Sequence, residues 1–155
     1  MDTEEMAKSL LNTFAQLPDP RSRHGQRHPL CAILVLATAA MLSGARSLYA
    51  IWQWGRLQGP DLVKAMGFTR RKTPSVSTLH TVFSALDAPA FEAALACWIQ
   101  AHLPADAKAI AIDGKQLRGI HGEELPGVRL VAAFSHESSL VLAQEKGAMP
   151  NTQAS

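Results

Sequence analysis

The sequence predicts an α+β fold in two parts: an all-α helical bundle over residues 1–105, then three strands opening a small sheet over 106–155. Three observations predict it. Apolar residues recur at helical spacing as far as Leu103. One run, 30–42, is apolar nearly all round, as the central helix of a bundle must be. After residue 107 the helical period is lost, and short apolar stretches bounded by turn-like residues read as strands. The chain has 155 residues, 47% hydrophobic and 18% charged, which excludes a disordered or fibrous protein.

Thr3 caps a first helix, in which Met6, Leu10, Phe14 and Leu17 share one face until Pro18 and Pro20 end it. Residues 18–29 form a polar, basic linker. The apolar helix 30–42 follows and closes on Ser43-Gly44. A third helix over 47–57 carries Tyr49, Trp52 and Trp54 and stops at Gly59-Pro60. A helical turn over 61–66 ends at Gly67, and 68–75 is a basic loop. Thr73 and Pro74 then read as a hydroxyl cap with proline at the first helical position. Val76, Leu79, Val82, Phe83 and Leu86 line one face of that helix. Asp87 caps the next, whose core face is Phe91, Leu95, Trp98, Ile99 and Leu103.

The strands are read at 108–112, 128–135 and 140–145, with 136–139 as a hairpin loop and an unpatterned tail from 147. Three strands leave sheet edges unpaired, so poor solubility is expected.

Lys and Arg number 15 against 13 Asp and Glu, a net charge of +2. Residues 1–75 hold ten basic and five acidic side chains, and residues 76–155 hold five and eight. A basic first half suits a polyanionic partner. Cys31 and Cys97 lie in apolar runs and read as buried free thiols. The acidic N-terminus has no signal-peptide character, and the 13-residue apolar run is shorter than the roughly 20 residues of a membrane span. A cytoplasmic protein with no membrane partner is expected.

The sharpest local feature is Asp113-Gly114-Lys115 at the end of the first expected strand. A carboxylate there projects at a sheet edge. With Lys115 and Arg118 beside it, it could hold a divalent metal against a phosphodiester. Asp-Gly is also a common turn dipeptide, and both readings stand on the local residues alone.

The helix after Thr73 presents Ser75, Ser77, Thr78, His80, Thr81 and Ser84, a hydroxyl-rich face with Arg70, Arg71 and Lys72 before it. Such a face can meet phosphates and base edges, or it can be an ordinary solvated surface. Arg21, Arg23 and Arg27 in the linker can contact phosphates without sequence preference, or simply solvate a loop. His24, His28 and Cys31 lack a fourth ligand and a regular scaffold for zinc. Residues 135–138 are a polar hairpin loop rather than a triad, since neighbours on a strand point apart. Trp52, Trp54 and Trp98 read as core and interface, because no exposed aromatic stripe accompanies them.

Together these segments resemble a known family. Leu17-Pro-Asp-Pro-Arg-Ser-Arg-His-Gly-Gln-Arg-His-Pro-Leu30 resembles the opening of bacterial insertion-sequence transposases of the H-repeat-associated type. Pro74-Ser-Val-Ser-Thr-Leu-His-Thr-Val-Phe83 and Leu86-Asp-Ala-Pro-Ala-Phe91 are similar to its next blocks. Ile110-Ala-Ile-Asp-Gly-Lys-Gln-Leu-Arg-Gly119 resembles the block with the first catalytic aspartate. Leu130-Val-Ala-Ala-Phe-Ser-His-Glu137 and Leu140-Val-Leu-Ala-Gln144 continue the series, so the resemblance runs through residues 14–145 in order.

The resemblance implies a helical DNA-binding domain followed by a ribonuclease-H-like nuclease core, here incomplete. In that family an Asp, an Asp and a Glu hold two magnesium ions for DNA strand cleavage and transfer. Asp113 matches the first acid, the catalytic and metal-binding position. Lys115 and Arg118 match basic positions beside it. The second Asp and the Glu have no counterpart, and Glu123, Glu124, Glu137 and Glu145 match neither. The expectation is therefore a truncated transposase reduced to DNA binding, with Mg2+ implied by the family but not held stably by one carboxylate. Its partners would be DNA at element ends and a further copy or a full-length transposase. The alternatives are a non-catalytic regulator or inhibitor of a full-length transposase, and a non-functional remnant.

Overall fold

A computed structural model describes residues 2–22, 26–102 and 125–138. The described elements are α1 (Thr3–Phe14), α2 (Leu30–Leu42), α3 (Leu48–Arg56), α4 (Pro60–Ala65), α5 (Val76–Ala85), α6 (Ala88–His102) and α7 (Val128–Ser138). There is no strand among the described residues.

The bundle is built around α2. Every residue of this helix except Cys31 is buried, Thr38 included, whose hydroxyl donates back to the Leu34 carbonyl at 2.9 Å. A helix with no polar face needs cover on all sides, and α1, α3 and α7 each pack on it. Its end is a Schellman turn, with Ala45 N–H on the Ala40 carbonyl at 2.9 Å and Gly44 N–H on Met41 at 3.0 Å. α6 closes the far side against α1 and α7. The Trp98 indole donates to Ser9 Oγ at 2.9 Å, tying α6 to α1. Phe91 meets Phe14 at 5.3 Å between ring centroids.

The expected α+β class is overturned at 128–135. That stretch is not a strand but the first two turns of α7. Its β-branched and aromatic residues suggested a strand, but the burial pattern has helical steps: Val128, Val131 and Phe134 are three apart, and Leu130 is four before Phe134. Phe134 stands edge-on to Trp98 at 5.5 Å, and tertiary packing of this kind overrides β-propensity. Residues 136–138 continue the helix, so the hairpin loop expected there does not form. The expected strands at 108–112 and 140–145 lie outside the described residues.

Two start signals and one stop shift slightly. Asp2, not Thr3, caps α1, accepting from Glu5 N–H at 2.8 Å. α1 ends at Phe14, before the prolines, leaving Leu17 half-buried against the core. Ser75, not Thr73, caps α5, taking Thr78 N–H at 3.2 Å, while Pro74 is buried before the helix. Asp87 caps α6 as expected, accepting from Ala90 N–H at 3.1 Å. Of the two cysteines, Cys31 is partly buried and Cys97 is exposed, because it falls on the outer face of α6.

No single described helix is long and apolar enough to cross a membrane. α5 and α6 together reach the length, but they meet at 98°.

Candidate nucleic-acid interface

Two basic segments far apart in sequence meet around the start of α5, and each is held by a buried aromatic or proline anchor. The first is the linker before α2. Arg21 folds it: its guanidinium grips Asp19 through Nε at 2.9 Å and a terminal nitrogen at 2.8 Å, and that nitrogen also donates to the His28 carbonyl at 2.7 Å. The Arg21 side chain is only 5% exposed. These charge-assisted bonds hold the Asp19 carboxyl below its ordinary range. His28 is buried, edge-on to Phe68 at 5.6 Å.

The second segment is the loop between α4 and α5. Gly67, at φ +106°, ends α4 in a left-handed conformation and turns the buried Phe68 inward. The left-handed backbone is what favours glycine here; a Cβ on Gly67 would in addition lie 2.8 Å from a Leu11 methyl, which would have to shift. Buried Phe68 and buried Pro74 pin the two ends of the loop, and Arg70, Arg71 and Lys72 between them are exposed. Thr73 rests against α3 where Gly55 provides room: a Cβ there would be 3.4 Å from Thr73 and 3.0 Å from Leu36.

Two clefts result. One, of about 370 Å³, is lined by Arg21, Arg27, His28, Lys72, Thr73, Ser75 and Thr78. The other, of about 330 Å³, is lined by Trp52, Gly55, Arg56, Gln58, Val63, Arg71, Lys72, Thr73 and Ser75. They share Lys72, Thr73 and Ser75, so they run on from one another across the α5 N-terminus. Among the described residues Arg27, Arg56, Arg71 and Lys72 line them, with Arg21 beside Arg27 but paired to Asp19, and no acidic side chain does. The first turn of α5 adds the positive end of its dipole. His28 registers the field. Burial first, then the charges of Arg70, Arg27 and Arg21, hold its imidazole below the ordinary histidine value.

The predicted DNA-contacting residues divide accordingly. Arg27, Arg71, Lys72 and Thr78 line the clefts, and Arg70 is exposed beside them. Arg21 lines one cleft, but its guanidinium is committed to Asp19 and the His28 carbonyl. Ser77 and Thr81 are exposed and line neither cleft. Arg23, Asp113, Lys115 and Arg118 lie outside the described residues.

Sequence reasoning missed Trp52, Arg56 and Gln58. It assigned the tryptophans to core and interface for want of an exposed aromatic stripe. Trp98 is indeed core, 3% exposed. On α3 the stripe exists: Tyr49 is 56% exposed and 5.3 Å from Trp52, and the Arg56 guanidinium sits 4.9 Å over the Trp52 ring. The signal was available in the spacing, since positions 49, 52 and 56 share one helical face.

Comparison with known proteins places this surface in a family. The family model described as DDE_Tnp_1-associated matches residues 11–99, which include the last turn of α1, all of α2 to α5, most of α6 and both clefts. "Putative transposase YncI" of Escherichia coli K12 is 34% identical over 142 residues, covering 90% of this chain and 57% of that protein. "H repeat-associated putative transposase YhhI" of the same organism is 30% identical over 142 residues, covering 90% of this chain and 37% of its own length. A protein of Xanthobacter autotrophicus, uncharacterized and named from the dhlA 3' region, is 34% identical over 137 residues, covering 86% of this chain and 46% of that one. The chain thus spans about half, or less, of the length of these relatives. No solved structure matches it. By a match over more than half its length, the chain belongs to the DDE_Tnp_1-associated family, with transposases of the H-repeat-associated type as its relatives.

Proposed function

We propose that the helical region of this transposase-family chain is a DNA-binding module, and that the two clefts around the α5 N-terminus receive the phosphate backbone. The observation that carries the reading is one continuous concave surface lined by Arg27, Arg56, Arg71 and Lys72, with no acid among the described residues lining it. Arg27, Arg71 and Lys72 supply sequence-independent attraction, and the Thr78 hydroxyl, which accepts from Ser75 Oγ at 3.2 Å, supplies a short-range hydrogen bond to a phosphate oxygen. A titration of labelled duplex DNA tests it. Arg71→Ala with Lys72→Ala weakens binding several-fold without lowering the melting temperature. Unchanged affinity contradicts the proposal.

Strand cleavage and transfer, the activity that the family resemblance implies, is assigned to Asp113 as first acid, with Lys115 and Arg118 beside it. Magnesium would supply nucleophile activation and leaving-group stabilisation there. Among the described residues no group of three His, Cys, Asp or Glu is placed to hold a metal, so they contribute no ligand set. We assign no metal-dependent step to them. DNA binding by the helical region does not depend on Asp113, so Asp113→Asn leaves it unchanged. A loss of duplex affinity in that variant would refute this division. A second copy or a full-length transposase is the expected protein partner, element ends the expected DNA, and the cytoplasm the expected location.

A further inference from the structure

We propose that the cleft between α3 and the Arg71–Lys72 loop is a stacking site for an unpaired nucleotide, distinct in role from the phosphate-binding surface on which it rests. Three observations carry it. Tyr49, Trp52 and Arg56 form a preassembled ladder along α3, with two aromatic rings 5.3 Å apart and a planar guanidinium 4.9 Å over the indole. The ladder is solvent-facing at one end, where Tyr49 is 56% exposed. Trp52 and Arg56 line the same cleft of about 330 Å³ as Arg71 and Lys72. Aromatic surface and cations in one cleft are the two requirements for binding single-stranded nucleic acid, since bases stack and phosphates pair with cations. A duplex keeps its bases stacked inside and offers the cleft only phosphates. A strand end, overhang or extruded nucleotide offers a base as well.

This inference depends on the DNA-binding reading above, and the test separates the two. The full chain is titrated with a short oligothymidylate, an abasic oligonucleotide of the same length, a blunt duplex and polyglutamate. Wild type is expected to bind the oligothymidylate about tenfold more tightly than the abasic strand. Trp52→Leu, which keeps apolar bulk, and Arg56→Lys, which keeps charge but loses the flat guanidinium, should each collapse that ratio towards one. Arg71→Ala should weaken all three nucleic-acid probes together. Arg56→Lys is an exposed change on a helix and keeps the test decisive if Trp52→Leu unfolds. Equal binding of thymidylate and abasic strands by wild type overturns the stacking site while leaving the phosphate surface standing, as does a ratio that survives both variants. Polyglutamate binding as tight as thymidylate, with the same dependence on Trp52, overturns it in favour of an acidic peptide. No binding of any nucleic acid overturns both readings.

Discussion

Arg21 and Arg27 lie six residues apart in the same linker and do opposite work. Arg21 is spent on Asp19 and the His28 carbonyl, with its side chain 5% exposed. Removing it leaves a carboxylate and a carbonyl without their partner, so Arg21→Ala should cost about 1–3 kcal/mol of stability in a denaturant melt. Arg27→Ala should leave the melt unchanged and weaken DNA binding. Equal melts for the two variants would contradict this assignment. His28 gives a pH signature. Its folded pKa lies below the unfolded value, so the unfolded chain takes up its proton first as pH falls. Its contribution is fully present above about pH 6.5 and is lost as pH drops from there through the folded pKa. The melting temperature should fall across that window, and His28→Gln should flatten that part of the profile. A wild-type profile already flat below pH 6.5 would count against it. The basic types in the linker were legible in the sequence. Which arginine folds the loop and which faces solvent was not, because that depends on a carboxylate two residues away and a carbonyl seven away.

At the scale of elements, α4 and α7 show what decides a local structure. The α4 end depends on Gly67, whose φ of +106° strains any residue with a β-carbon. Gly67→Ala should destabilise the fold by about 1–2 kcal/mol and also weaken DNA binding, because Phe68 and the Arg70–Lys72 loop hang from that turn. A loss of stability with full DNA affinity would show that the loop does not need this anchor. α7 was misread as a strand because Val128, Leu130, Val131 and Phe134 are strand-favouring types and no strong cap precedes them. The deciding contacts are long-range: Phe134 on Trp98, and Gly127 N–H donating to the Glu92 carboxylate at 3.0 Å. Neither can be read from residues 128–135 alone. Elements whose signals are local were legible: α2 from its apolar run, α6 from its Asp87 cap and its period of Phe91, Leu95 and Trp98. The cap of α5 fell two residues later than expected, since Pro74 serves as a buried anchor rather than as a first helical residue.

On the scale of the whole molecule, α2 is a buried axis that lets α1, α3 and α7 present their outer faces to solvent. The basic surface assembles from two segments separated by α2, α3 and α4. The charge asymmetry of the first half was therefore visible in the sequence, while its convergence at the start of α5 was not. The aromatic ladder on α3 was hidden for a related reason. Tryptophan counts towards a core until its neighbours show that one face is left open.

The most direct test of the central claim is the salt dependence of duplex binding by the wild-type chain and by the variant carrying both Arg71→Ala and Lys72→Ala. Each phosphate neutralised contributes a slope of about −0.9 in log affinity against log salt. The double substitution should therefore make the slope shallower by close to two such contributions while the fold stays intact. Identical slopes for the two proteins, or wild-type binding insensitive to salt, would contradict a phosphate-binding surface at the start of α5.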